Sequence, residues 1–293
     1  MQQFHFIALT LLVVNLFVSL KGLASRSFFD EYCFEVAPIL ERKDYKRLIT
    51  SGFLHVSWVH LFFNMFALLS FSNCFVEFEL FVIYFAGLIG GNLLALYIYR
   101  NYGDYRAVGA SGAVFGVIFA YIVISPHHNI GMFLIPLRLP AWLFGLIYVA
   151  YTIYGIQTKR DNIGHEAHLG GAICGLLVAL FFYPEAIRQN YVYILLILVP
   201  SLVFLYSLYE RKPTYRSKKE EYINPMSRAF DDWFPAEKKD NSTIDEKYNT
   251  EQNRMQAEVD RILDKINRLG ENAITNEERK RLREYSEKLN RGT

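Results

Sequence analysis

Seven apolar blocks separated by polar turns fill the chain up to residue 209, and no other property limits its fold as strongly. They run over 4–20, 56–75, 78–99, 109–124, 141–156, 166–183 and 191–209. A helix rises about 1.5 Å per residue, so roughly 20 apolar residues cross the ~30 Å hydrocarbon layer. Inside that layer every backbone N–H and C=O must be satisfied by protein, which leaves helices or closed barrels. Blocks of this length read as transmembrane helices, and the expected fold is an all-α polytopic membrane protein. The first block has no basic flank and exceeds an ordinary signal-peptide core, so it is expected to stay as a span. The short fifth block suits a tilted helix.

Two polar regions interrupt or follow the blocks. Residues 25–54 interleave Arg26, Asp30, Glu35 and Arg47 with Phe28, Tyr32 and Phe34, a mixture that suits the headgroup region. A partly helical connection packed at the membrane surface is expected there. The segment 131–140, with Pro136 and Pro140 around Arg138, reads as an interfacial stretch. Beyond residue 210 the chain is hydrophilic. Val259, Ile262, Leu263, Ile266 and Leu269 recur at helical spacing, and Thr275-Asn276-Glu277-Glu278 is a capping box opening a second helix with Leu282, Tyr285 and Leu289. The expected division is a six-span core over 1–184, a seventh span in 185–210, a polar linker over 211–250 and a small helical hairpin over 251–293.

A formal net charge of +2 is too small to attract a nucleic acid, so local basic clusters point to membrane lipid instead. Cys33, Cys74 and Cys174 lie far apart without metal-ligand spacing, and neither a disulfide scaffold nor a metal site is expected. Nothing in the sequence calls for a cofactor.

The fourth block opens with Gly109-Ala110-Ser111-Gly112-Ala113-Val114-Phe115-Gly116. Alone, this octet reads as a close-packing face of small residues. It also places a hydroxyl at a helix N-terminus, where unpaired N–H groups favour a developing negative charge. Block six supplies the complement in His165-Glu166-Ala167-His168-Leu169-Gly170-Gly171 and Gly175. His168, Gly171 and Gly175 share one helix face at i, i+3 and i+7, so a neighbouring backbone can approach beside the imidazole. Spans four and six run in the same direction, which puts Ser111 and His168 at similar depth beneath one surface. A serine nucleophile with a histidine base fits that placement. His165 is the competitor, expected nearer the loop and solvent, while Glu166 points elsewhere and supplies no third member. In span two, His60 and Asn64 lie at i and i+4 at the same surface, suited to an oxyanion or to a plain polar packing seam.

Together these pieces resemble the rhomboid family of intramembrane serine proteases. The matching stretches are Arg47-Leu48-Ile49-Thr50-Ser51-Gly52-Phe53-Leu54-His55, His60-Leu61-Phe62-Phe63-Asn64, Gly90-Gly91-Asn92, Gly109-Ala110-Ser111-Gly112 and Ala167-His168-Leu169-Gly170-Gly171 through Gly175. The likeness covers about 4–183. It implies a six-helix core with a hydrated cavity open to the non-cytoplasmic side. It also implies Ser111 as nucleophile, His168 as base, and His60, Asn64 and the Ser111 backbone as oxyanion group. Gly109, Gly171 and Gly175 would support this site. So would Phe115, which stands where many members carry a tyrosine beneath the histidine and keeps the stacking without the hydroxyl. Lys46 replaces a tryptophan found before the arginine in several members. With the Ser111 end facing outward, Lys46, Arg47, Arg100, Arg106, Lys159 and Arg160 lie outside, against the positive-inside rule. The implied substrates are transmembrane proteins, and the implied location is a bacterial inner (cell) membrane. Two other readings stay open: a non-catalytic rhomboid-like protein that binds unstable spans, and a small transporter.

Overall fold

A computed structural model describes residues 6–132, 135–158, 161 and 163–210, and scattered positions between 259 and 282. Contacts divide the chain into Met1–Pro235 and Ala236–Thr293. In the first unit the seven apolar blocks become seven long helices. These are α1 (Phe6–Ala24), α5 (Trp58–Ser72), α6 (Glu77–Tyr99), α7 (Ser111–Ile124), α8 (Ala141–Thr158), α9 (His165–Phe182) and α10 (Pro184–Glu210). Short helices α2 (Arg26–Tyr32), α3 (Val36–Glu41) and α4 (Arg47–Thr50) fill the connection after α1.

Among the described residues four helices, α1, α6, α9 and α10, are long and apolar enough to cross a membrane. A fifth crossing arises if the pair Arg47–Phe53 and Trp58–Ser72, bent by 97°, counts as one. The protein is therefore an integral, multi-pass and mostly helical membrane protein. The 14 residues of α7 span only about 21 Å at helical rise, and its flanks are almost wholly covered by other helices. That is a core helix enclosed by protein.

Glycine sets how close α7 comes to its neighbours. A Cβ at Gly171 would fall on the Gly112 carbonyl, and one at Gly175 on the Gly116 backbone, so α9 lies directly on α7. From α6, Gly87 approaches the same two glycines, where an added Cβ would stand 3.1 Å from Gly112 O and from Gly116 Cα. With no hydrophobic drive between helices in lipid, such close backbone contact is a main source of association.

Polar side chains tie the periphery to this core. Glu77 accepts the N–H groups of Phe6 and Ile7 at 2.6 and 2.7 Å, closing the exposed start of α1 from across the fold. Buried Asn15 donates to Leu11 O within α1 and to the Tyr84 hydroxyl on α6. At the same end, Tyr183 hydrogen-bonds Glu79. In the connection, Arg47 donates to Asp44 at 2.9 Å and to the Asp30 and Cys33 carbonyls at 2.8 and 2.7 Å, while Arg106 pairs with Asp30 and Glu35. Burial pushes the Cys33 thiol there up to about 11, so it stays protonated.

The structure departs from sequence expectation in three places. Two small antiparallel ladders accompany the helices. One joins β1 (Phe34–Glu35) to β2 (Arg106–Ala107), and the other joins β3 (Asn129–Met132) to β4 (Ile135–Pro140). The stretch 131–140, read as interfacial, holds the end of β3 and all of β4, a pairing that satisfies backbone groups that prolines keep out of a helix. The polar residues between the sixth and seventh apolar blocks continue the helix of the seventh, since Pro184 sits at the first position of α10, where its missing N–H costs nothing. That helix also carries Pro200 within its length.

In the second unit the capping box is present: Glu278 N–H donates to Thr275 Oγ1 and Thr275 N–H to Glu278. Lys265 pairs with Glu278 at 2.9 Å, and Val259 and Ile262 are buried. The linker over 211–250 and Leu263, Leu269, Tyr285 and Leu289 lie outside the described residues.

Candidate active site

Ser111 is the first residue of α7, immediately after a backbone turn that only glycine enters easily. Gly109 has φ +125°, and His60 packs against its α-carbon, where a Cβ would come within 2.6 Å of the ring. The turn is held from two sides. Gly109 N–H donates to Ser51 O at 3.0 Å, and Ala110 N–H donates to His55 Nε2 at 3.3 Å. Because that nitrogen accepts, the His55 proton sits on Nδ1 and goes to Ser19 Oγ at 2.8 Å, whose own hydrogen reaches Phe53 O at 2.9 Å. A residue of α1 thereby steadies the turn that presents Ser111.

His168 lies in the first turn of α9, and its Nε2 is 2.7 Å from Ser111 Oγ. The helix-face reading of Gly171 and Gly175 explains the approach, since both meet α7 backbone directly below. The Phe115 ring, one turn beneath Ser111, has its centroid 4.6 Å from that of the imidazole at a 38° tilt. His165 does not reach Ser111. Contrary to its expected exposure it is 2% accessible, because Gly155 of α8 leaves room for its ring, and its Nε2 donates to both Asp161 oxygens. Glu166 accepts from the Tyr99 hydroxyl and takes no part in the site.

His60 and Asn64 follow one another on α5, which Ser57 caps by accepting the His60 N–H. Both line the same cavity as Ser111 and His168. Asn64 donates one amide hydrogen to the His60 carbonyl at 2.9 Å, and His60 Nδ1 is buried with no partner among the described residues. The cavity measures 1320 Å³ and follows α7 from Ser111 to Tyr121, with walls from α5 and α8. It brings together a serine hydroxyl, an imidazole nitrogen within hydrogen-bond distance of it and unpaired N–H groups at a helix start. No cluster of three metal-ligating side chains occurs among the described residues.

Sequence reasoning missed two contributors. Tyr148 on α8 places its hydroxyl 2.8 Å from His168 Nδ1 and its ring 4.1 Å from Phe115, nearly parallel. The other is the Ser19–His55 pair. His55 stood within a matching motif without a role, and nothing in the first block distinguished Ser19 from a packing residue.

Residues 42–185 match the rhomboid domain, and residues 242–288 match a family of unknown function, DUF6576. The chain is similar to Rhomboid protein 1, mitochondrial, of Saccharomyces cerevisiae, at 33% identity over 52% of this chain and 47% of that protein. It is also similar to Rhomboid protease AarA of Providencia stuartii, at 29% identity over 58% of this chain and 69% of that protein. Rhomboid protease GluP of Bacillus subtilis shares 28% identity over 48% of this chain and 27% of its own length. The chain spans about half the length of the mitochondrial and chloroplast relatives it matches, 47%, 54% and 43%. Every residue described around Ser111 except Ser19 falls inside the matched domain, and the chain belongs to the rhomboid family.

Proposed function

We propose that this protein is an intramembrane serine endopeptidase that hydrolyses peptide bonds in or near transmembrane segments of other membrane proteins. The observation that carries the proposal is the 2.7 Å approach of His168 Nε2 to Ser111 Oγ at the end of a cavity. Ser111 Oγ attacks the scissile carbonyl carbon while His168 Nε2 takes its proton. The oxyanion that forms lies at the start of α7, where the Ser111 N–H has no helical acceptor, and Asn64 and His60 add side-chain donors. Collapse breaks the C–N bond, and the amine leaves with the proton held by His168. Water, deprotonated by the same imidazole, then releases the acyl group and restores Ser111.

The proposed core is α1 with α5 to α9, residues 1–184, with α10 as a seventh crossing over 185–210 and the tail beyond. The proposed location is a bacterial cell membrane, supported by the relatives from Providencia and Bacillus. Membrane fractionation of the source cells tests that location.

The activity is tested with the purified full chain in liposomes and a model transmembrane substrate. Ser111→Ala and His168→Ala should each lower cleavage by at least about 10³-fold. A fluorophosphonate should label wild type and spare Ser111→Ala. Wild-type cleavage by Ser111→Ala would end the proposal, and an unlabelled, inactive wild type would favour a binding protein instead.

A further inference from the structure

A serine–histidine dyad leaves one imidazole nitrogen without a stated purpose, and here that nitrogen is engaged. His168 Nδ1 lies 2.8 Å from the Tyr148 hydroxyl, and no other described side chain hydrogen-bonds it. The chemistry makes this contact consequential. Nε2 can accept the Ser111 proton only if the resting proton of the neutral ring sits on Nδ1. After transfer both nitrogens carry protons, and Nδ1–H then needs an acceptor more strongly than before. A hydroxyl oxygen can be that acceptor in both states.

Tyr148 is well fixed for the task. Its ring stacks on Phe115 at 4.1 Å and on Phe144 at 5.9 Å, with interplanar angles of 18° and 16°. The carboxylates nearest in sequence are committed elsewhere, Glu166 to Tyr99 and Asp161 to His165 and Tyr151. A neutral acceptor also avoids burying a carboxylate among membrane helices, which is costly without a partner. Phe115 lies against the imidazole but carries no polar atom, so it can steady the ring without choosing its tautomer.

We propose that Tyr148 is the positioning residue of the dyad: its oxygen accepts Nδ1–H of His168, selecting the tautomer whose Nε2 takes the Ser111 proton. The inference rests on the hydrolase reading above. Alignment of the reacting pair then depends on three helices, with Ser111 on α7, His168 on α9 and the orienting hydroxyl on α8.

The test compares the full-length wild type with Tyr148→Phe and Ser111→Ala in liposomes. Tyr148→Phe keeps the stacked ring and removes one oxygen. Its kcat should fall about 10- to 100-fold, the effect of unpairing one buried polar group, with KM changed by less than about twofold. A second measurement needs no variant at Tyr148. In ¹⁵N-histidine spectra, assigned by difference from His168→Asn, the resting His168 should be protonated on Nδ1, and Tyr148→Phe should show a tautomer mixture. Unchanged kcat in Tyr148→Phe, or a resting proton on Nε2, overturns the positioning role. Those results with Ser111→Ala inactive would leave the hydrolase reading standing, whereas an active Ser111→Ala removes that reading itself.

Discussion

Gly171 of α9 rests on the Gly112 carbonyl of α7 with no room for a methyl group between them. One turn along each helix, Gly175 meets Gly116 in the same way. Because His168 and Ser111 project from the adjoining turns, this backbone contact sets the separation of His168 Nε2 from Ser111 Oγ. Gly171→Ala should push α9 outward, destabilise the fold by about 1–3 kcal/mol and lower kcat/KM by about 10²-fold. Thermal unfolding and cleavage kinetics on the same preparation check both. Wild-type values in each would show that α7 and α9 separate without disturbing the site.

The Phe115 ring touches both the imidazole of His168 and the ring of Tyr148. Phe115→Ala removes two aromatic contacts of about 0.5–1.5 kcal/mol each and should lower kcat about tenfold or more. Phe115→Tyr keeps the stacking and should stay within a fewfold of wild type, as measured by steady-state cleavage.

The placement of Ser111 and His168 was legible in the sequence because it needs only two regularities. The alternating direction of successive apolar blocks predicts both at one end, and the 3.6-residue period puts His168, Gly171 and Gly175 on one face. Tyr148 obeys no such rule. Its partners, Phe115 and His168, come from two other helices, and the contact depends on how far α8 is rotated, which no local pattern records. The β3–β4 ladder escaped for a related reason. Its strands are short, and Pro136 and Pro140 read as breakers until the pairing of 129–132 with 135–140 supplies their neighbours with partners.

His55 secures the turn before Ser111 by accepting Ala110 N–H, and Ser19 fixes the tautomer that lets it do so. His55→Ala strands a buried N–H, so a loss of about 1–3 kcal/mol is expected, with a smaller one for Ser19→Ala. A double-mutant cycle should be strongly non-additive, because both substitutions break one chain of hydrogen bonds. Additive losses in chemical unfolding would show that the two act separately.

Asn64 has an amide hydrogen beyond the one it donates to the His60 carbonyl, and it lines the cavity. As an oxyanion donor its replacement by alanine should lower kcat by about 10²–10³-fold while KM changes little. A rise in KM at constant kcat would instead make Asn64 a substrate-binding residue.

In the turn joining α8 and α9, burial tends to raise the Asp161 carboxyl, but hydrogen bonds from His165, Ile163 N–H and Tyr151 outweigh it and leave the group below its ordinary 3.8. A lowered folded-state value means its contribution is present above that ordinary value and is lost as pH falls through the folded one. Melting curves of wild type and Asp161→Asn should therefore differ at neutral pH and converge below 3.8. A gap that stays constant down to the acid limit would exclude ionisation of Asp161 as its origin.

Tyr148 stands in the part of the cavity wall that α8 supplies, and α5 supplies another part. A displacement of α8 that carries Tyr148 more than about 1 Å outward parts its hydroxyl from His168, since hydrogen bonds weaken rapidly beyond about 3.2 Å. On the proposed reading, the helix that bounds the cavity is also the one that orients the base. A chain with α8 displaced would then be disarmed until the helix returned, a safety catch needing no further component.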